Sequence, residues 1–533
     1  MPNALPLIAD REWEVFIIGG GINGCAIARD AALRGFKTAL VERNDFASET
    51  SSRTTKLIHG GIRYLEQLHL GLVYECLRER TTLMTIAPHL VRPLPFLIPV
   101  FKDDRYPLPF VQFGTWLYSA LAGKNQIKPK ENFSSKNLAA HYPFLDKSKL
   151  KGAVRYFDAQ MDDIRLCLET ALSAQLEGAA IANHVEVTRI GVRKDGKFDI
   201  VLEDSLTRDQ AKIRALRVVN AAGPWADRML SILQPRHKPM LHLSKGTHLI
   251  VKKKISNEAI LLLSSDDRVI FVIPWHGMSL IGTTDTEFKG SPDDVLATED
   301  DISFLLREIK RVGPDLNIER RDIVTTFSGV RPIAVGHGNS TAKLSRRHVI
   351  HEAPDGFFSI GGGKYTTHRL LAEEVCDLLE KSLKKSHRPC KTAEMPLLGS
   401  FDLPFEEANF RLADDISGVN RNTLEHLVQT YGRQIRHVIA IANRNKNLQK
   451  PICPHHDMIG AQVIYAVEHE LAQTLMDVCV RRLRLDQAAC RGLDCVKKVA
   501  DFLSERLRWS PAKKETELAR YADWVRLNTR FIV

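Results

Sequence analysis

The stretch that decides the fold is residues 14–42, EVFIIGGGINGCAIARDAALRGFKTALVE. An apolar, β-branched run (EVFII) leads into Gly19-Gly20-Gly21, and a helical pattern follows from Ile22 to Leu33. Gly35 ends that helix, and Lys37 to Val41 reads as the next strand. Strand, glycine turn, helix and strand make a βαβ start, which predicts an α/β class with a parallel sheet. Gly19-x-Gly21-x-x-Gly24 has the spacing of a dinucleotide turn. Gly19 permits the tight turn, Gly21 lets backbone approach a pyrophosphate, and Gly24 lets helix and strand pack closely. The helix N-terminus stabilises the anion. Glu42 closes the second strand, where a carboxylate can accept hydrogen bonds from an adenosine ribose. The glycines alone do not separate FAD from NAD.

Outward from this unit, a Ser/Thr-rich loop, Thr50-Ser51-Ser52-Arg53-Thr54-Thr55, runs into Lys56, His59 and Gly60-Gly61. Such a loop can contact the pyrophosphate and the second half of a dinucleotide. Residues 92–155 are rich in Pro and Lys, weak in periodicity, and read as an excursion from the core. Short strands separated by polar turns occupy 181–220 and 247–283. After Gly361-Gly362-Gly363 a helix begins, with Ala372, Val375, Leu378 and Leu379 on one face. From about 402 onward only helices are expected, at 422–443, 459–485, 494–508 and 513–528, and they read as a separate helical domain.

The 533 residues are 44% hydrophobic and 26% charged, which excludes a disordered or collagen-like chain. Nine scattered cysteines, none in C-x-x-C spacing, fit a reducing compartment and indicate neither a zinc site nor a thioredoxin-type site. The N-terminus lacks the pattern of a signal peptide. The formal charge is +11, with a pI near 9.1. Such a surplus suits nucleic acid, an anionic membrane or a phosphorylated substrate. Residues 91–155 hold eleven Lys/Arg against four acids, so +7 of the surplus is local. Inside them lies the segment 106–123, YPLPFVQFGTWLYSALAG, uncharged from Tyr106 to Gly123. Two prolines, a glycine and polar residues make it a poor membrane span. As a helix it would set Phe110, Phe113, Leu117 and Leu121 on one side, with Trp116 and Tyr118 close by. Apolar aromatic residues flanked by Lys and Arg suit a helix lying in an anionic bilayer surface. Confinement of the charge to one stretch argues against nucleic acid.

Seven segments together, GGGINGCAIARDAALRG, TTKLIHGGIRYLE, NAAGPWAD, KGTHLIV, IPWHGMSLIGTTDTEFKG, FSGVRP and GGGKYTTHRLLAE, resemble the FAD-dependent, respiratory, membrane-associated glycerol-3-phosphate dehydrogenase family. They occur in family order over residues 14 to about 380. The resemblance implies a Rossmann-like FAD-binding domain with an α+β substrate or cap domain, of the glycine-oxidase and amino-acid-oxidase type. It places FAD binding in 1–91, 156–235 and 345–388, the cap in 92–155 and 236–344, and an all-α C-terminal domain in 389–533. For FAD it implies Gly19, Gly21, Gly24, Glu42, Ser51, Ser52, Lys56, His59, Val187, Ala222, Gly223, Gly363 and Thr366. For substrate it implies Arg63, Tyr64, His248, Arg331, Arg346 and Lys364, with His248, Arg331 and Lys364 catalytic. His248 is the leading proton acceptor and His59 its competitor. Arg suits a phosphate handle because its planar fork matches phosphate oxygens, with Lys as a point charge. The implied reaction takes sn-glycerol 3-phosphate to dihydroxyacetone phosphate, with quinone reoxidising the flavin. An oxidase that hands electrons to oxygen would use the same motifs. A homodimer without metal, held peripherally at the cytoplasmic face of the inner membrane, completes the expectation.

Overall fold

The computed structural model describes residues 5–266, 268–335, 344–345 (backbone only), 348–353, 355–401 and 419–532. The strand Glu12–Ile18 is flanked by two parallel partners, Thr38–Val41 on one side and Gln210–Asn220 on the other. Spatially the sheet runs Val349–Ala353, Phe357–Gly361, Gln210–Asn220, Glu12–Ile18, Thr38–Val41 and Ala180–Ala182. The central strand is buried on both faces, as a parallel sheet requires. On one face the helices Ile22–Leu33, Asp163–Leu176 and His368–Ser382 pack around Cys25, Ala28, Leu168 and Val375. The other face is closed by the strands Val185–Val192 and Phe198–Asp204 and the helix Ala226–Leu233, around Phe16, Phe198 and Leu230.

A second sheet forms the cap. Leu241–Val251 pairs antiparallel with Ile323–Val335 along its whole length. Alternation of side chains sends Leu249 and Val251 to the helix Glu299–Val312, and Ile250 and His248 to the opposite face. The same sheet takes in Val91–Phe101 and Leu150–Met161. Residues 92–155 are therefore no loose excursion, and the expected boundary at 156 cuts through a continuous strand. The prolines hid this strand. Pro93, Pro95 and Pro99 are all odd-numbered, so the N–H groups they lack fall on one edge of the strand and the other edge keeps its ladder. Leu57–Ile58 also pairs into this sheet, against Ala159 and Gln160.

The C-terminal part is all-α, with its own cores around Leu427, Tyr465, Val478 and Leu503. It is not detached. Arg481 and Arg482 both donate to Asp45 at 2.6 Å, Asp477 meets His184 at 2.9 Å, and Arg165 meets Glu470 at 2.6 Å, all in buried surroundings. These groups also explain why the helix expected over 459–485 breaks. Gly460–His469 ends, and the chain resumes as a wide turn over Asp477–Arg482 closed by Leu483 N–H to Val478 O.

Candidate active site

The glycine turn behaves as its spacing implies. Gly19 has φ +110°, and a Cβ there would lie 2.6 Å from Ala221 O. A Cβ on Gly24 would lie 1.9 Å from Gly19 O, so only glycine lets this helix sit against this strand. Gly21 opens the helix in an extended conformation, and Ser51 Oγ accepts the Ile22 N–H at 2.9 Å. Glu42 is half-buried and accepts the Gly20 N–H at 2.7 Å and the Asn44 N–H at 2.9 Å; desolvation pushes its carboxyl above the ordinary range. Gly19, Gly21, Glu42, Ser51, Val187, Ala222 and Gly223 line one cavity of about 470 Å3. That volume lies in the range of cofactor pockets.

The second glycine turn lies beside the first. The helix His368–Ser382 packs on Ile22–Leu33, and a Cβ on Gly363 would lie 3.8 Å from Asn23 Nδ2. The turn before the second helix thus stands next to the start of the first, and each helix N-terminus carries partial positive charge. Thr366 Oγ1 accepts the backbone N–H of His59 at 3.3 Å. Lys364 Nζ stands 3.6 Å above the Tyr64 ring and 3.5 Å from Cys76 Sγ. Burial, with the charge of Lys364 nearby, holds His59 below the usual histidine range despite Asp158.

His248 and Arg331 form a second cluster on the cap sheet. The His248 ring stacks on Phe327 at 4.9 Å and lies flat against Gly282, where a Cβ would meet it at 2.3 Å. Nε2 is 3.0 Å from Thr55 Oγ1, and Nδ1 is buried without a hydrogen-bonding protein partner. Burial, with Arg331 and Lys56 adding to it, holds the imidazole well below its ordinary value, so it is neutral at pH 7. Arg331 crosses over Gly246, donates to Thr283 Oγ1 at 2.9 Å and approaches Asp285 at 3.4 Å. Its side chain keeps about a third of its surface exposed. Thr55 and His59 are four residues apart, so the two clusters are separated by at most about 14 Å of chain.

The structure does not draw all of the expected residues into these clusters. Lys56 is wholly buried, and its ammonium donates to Ser52 O and both oxygens of Asp163, at 2.6 to 2.8 Å. All three donors are engaged, and its backbone N–H and C=O bond Thr54 Oγ1 and the Met161 N–H at 2.9 Å each, so Lys56 holds the loop in place. Arg63 is exposed on the short turn Ile62–Leu65. Ser52 bonds Glu49 O and lines a neighbouring cavity. Arg346 lies outside the described residues. Sequence reasoning missed Thr283, Asp285 and Asp163, and gave Thr55 a place in the cofactor loop and not its contact with His248; these four orient the charged groups. Thr283 and Asp285 stand within the quoted GTTDTEF, and that placement was the available signal.

The residues fit FAD. The helix N-terminus after Gly21 suits a pyrophosphate, Glu42 suits a ribose, and the buried Nδ1 of His248 has no protein group to meet. Residues 14–378 match the model of the FAD dependent oxidoreductase family, and 390–514 match that of the C-terminal domain of alpha-glycerophosphate oxidase. The chain is an FAD-dependent oxidoreductase. A glycerol-3-phosphate dehydrogenase of Synechocystis sp. is 34% identical, with 98% of each chain covered. The mitochondrial glycerol-3-phosphate dehydrogenase of Rattus norvegicus is 36% identical over 95% of this chain and 72% of its own length. The crystal structure of the glycerol-3-phosphate dehydrogenase from Bacillus halodurans, complexed with FAD, superposes with a TM-score of 0.81 at 29% identity, covering 99% of this chain and 97% of that one. This chain belongs to the FAD-dependent glycerol-3-phosphate dehydrogenase family.

Proposed function

We propose that this chain oxidises sn-glycerol 3-phosphate at its secondary alcohol to dihydroxyacetone phosphate and passes the electrons to a membrane quinone. The reading rests on one juxtaposition: a buried, neutral imidazole with an unpartnered Nδ1, beside the guanidinium of Arg331. Bound FAD supplies the hydride acceptor. With Nε2–H donating to Thr55, Nδ1 of His248 carries the lone pair and takes the hydroxyl proton. Arg331, held by Thr283, offers its planar fork to the substrate phosphate. Lys364 and the helix start at His368 would supply positive charge to a reduced, anionic flavin held beside them. Under argon, glycerol 3-phosphate is expected to bleach the visible flavin spectrum while glycerol does not. A quinone analogue should restore it. Absence of bleaching rejects the substrate. Stoichiometric peroxide on admitting air, without quinone turnover, makes the enzyme an oxidase.

The basic, aromatic segment supports attachment to the cytoplasmic face of the inner membrane. Among the described residues no helix is long and apolar enough to cross a membrane. Leu108–Ala122 is nevertheless a helix with Phe110, Phe113 and Trp116 each at least half exposed. Leu117 and Leu121, expected on the same face, turn partly inward with Tyr118. On the segment packed beside it, Leu68 and Tyr74 are also exposed. Lys102, Arg105, Lys124 and Lys128 flank this patch and are exposed. An apolar patch rimmed by cations fits an anionic interface. Replacing Phe113 and Trp116 together by Ser is expected to release the enzyme from anionic liposomes while dye-linked activity is retained. Unchanged co-sedimentation with the vesicles would move the membrane contact elsewhere.

A further inference from the structure

The cysteines that look scattered along the chain are not scattered in space. In the C-terminal unit the segment 450–459 closes on itself, with Pro451 bridged to Ile459 and the Ile452 N–H donating to Met458 O at 2.9 Å. This turn presents Cys453 and His456 together. Facing it, the Leu493 N–H bonds Cys490 O at 3.0 Å and the Cys495 N–H bonds Gly492 O at 3.1 Å, and Gly492 has φ +72°. Those consecutive turns bring Cys490 and Cys495 back onto each other. Cys453 Sγ is 3.8 Å from Cys490 Sγ, and His456 Nε2 is 3.2 Å from Cys490 Sγ. The Cys495 thiol, which donates to Gly492 O at 3.5 Å, lies beside Cys453 and Cys490. Cys453 and Cys495 are buried, and Cys490 and His456 are half-buried.

We propose that Cys453, His456, Cys490 and Cys495 form a structural zinc site of Cys3His type. A tetrahedral zinc has Zn–S of about 2.3 Å and Zn–N of about 2.0 Å, which sets its sulfurs about 3.8 Å apart and sulfur and nitrogen about 3.5 Å apart. The Cys453–Cys490 and His456–Cys490 separations already match these values to within a few tenths of an ångström, and the ligand atoms of Cys453, His456 and Cys490 all lie within 4.8 Å of one another; Cys495 completes the set once its side chain turns toward them. Four protein ligands leave no open position, which marks a structural role rather than a catalytic one. The sequence spacing, Cys-x2-His and Cys-x4-Cys separated by 33 residues, was missed because a search for C-x-x-C overlooks a histidine in the second position. A metal here would clip together the two loops that wall a cavity of about 620 Å3 between the helical unit and the cap, lined by Trp275, His426, His456, Met458, Arg484 and Ala488.

The test uses the full-length, FAD-loaded enzyme purified without chelators from zinc-supplemented cells. Plasma mass spectrometry is expected to find about one zinc per chain in the wild type, and most of it lost in Cys490→Ser and in His456→Gln. If either variant fails to fold, Co2+ exchanged into the wild type gives an independent reading: tetrahedral d–d bands at wavelengths beyond the flavin absorption support the site. Zinc far below one per chain, with no Co2+ bands, overturns the proposal. A Cys453–Cys490 disulfide as the main species in a non-reducing peptide map overturns it in favour of a redox pair.

Discussion

Replacing His248 by Asn is expected to lower kcat/KM for glycerol 3-phosphate by roughly 10^2–10^4, the usual worth of a positioned general base, while FAD remains bound. Asn can still bond Thr55 but offers no lone pair comparable to an imidazole nitrogen. The contrast is Arg331→Ala, which keeps the base and removes the phosphate fork; it should act mainly by raising KM, and the loss should shrink for substrates without a phosphate. The pH profile follows from the burial of His248. Its imidazole is held below the ordinary value of about 6.5, so the competent neutral form persists at pH 7. As pH falls through the lowered value the ring takes up a proton and activity is lost. The acid limb of kcat/KM, which reports the free enzyme, should therefore lie below pH 6.5 and vanish in His248→Asn. If the limb persists in that variant, the base is another group, with His59 first in line.

A second large effect is expected far from the substrate. Asp163→Asn removes the partner of Lys56, both of whose side chains are wholly buried. An ammonium left uncompensated in the interior costs about 3–5 kcal/mol. Denaturant unfolding followed by flavin release should report that loss. Lys56 also holds Ser52 O, and Asp163 also receives the Thr54 hydroxyl, so the cofactor loop should loosen and FAD affinity fall with stability. The paired replacement Lys56→Met with Asp163→Leu should recover most of the stability, because an apolar pair of similar volume leaves no buried charge unmatched. Failure of the double variant to recover would mean that the loop needs the specific hydrogen bonds to Ser52 and Thr54 and not charge balance alone.

How much of this was legible in the chain depends on the range of the interaction. The turn at Gly19, Gly21 and Gly24 was readable because its demands are met within six residues: a positive φ and a clash between Gly24 and the oxygen of Gly19. Glu42 was readable because strand and helix lengths carry it to the mouth of the same turn. The motif positions of His248, Arg331, Lys364 and Thr366 were legible as well. Their grouping was not. His248 meets Thr55 across 193 residues, and Lys56 meets Asp163 across 107.

A lysine in a cofactor motif looks the same on paper whether its charge faces a ligand or an internal carboxylate. Burial separates the two cases, and burial comes from the packing of both sheets. The proline-rich strand Val91–Phe101 was misread because proline suggests loops until the edge that lacks donors is known. The helical domain seemed separate because Asp45 and Arg482, 437 residues apart, show no mutual signal in one dimension. Backbone conformation and amphipathic period are local and survive in the sequence. The pairing of buried charges, the alignment of a base with its orienting hydroxyl and the meeting of Cys453 and His456 with Cys490 are contacts between distant segments, and they exist only once the core has closed.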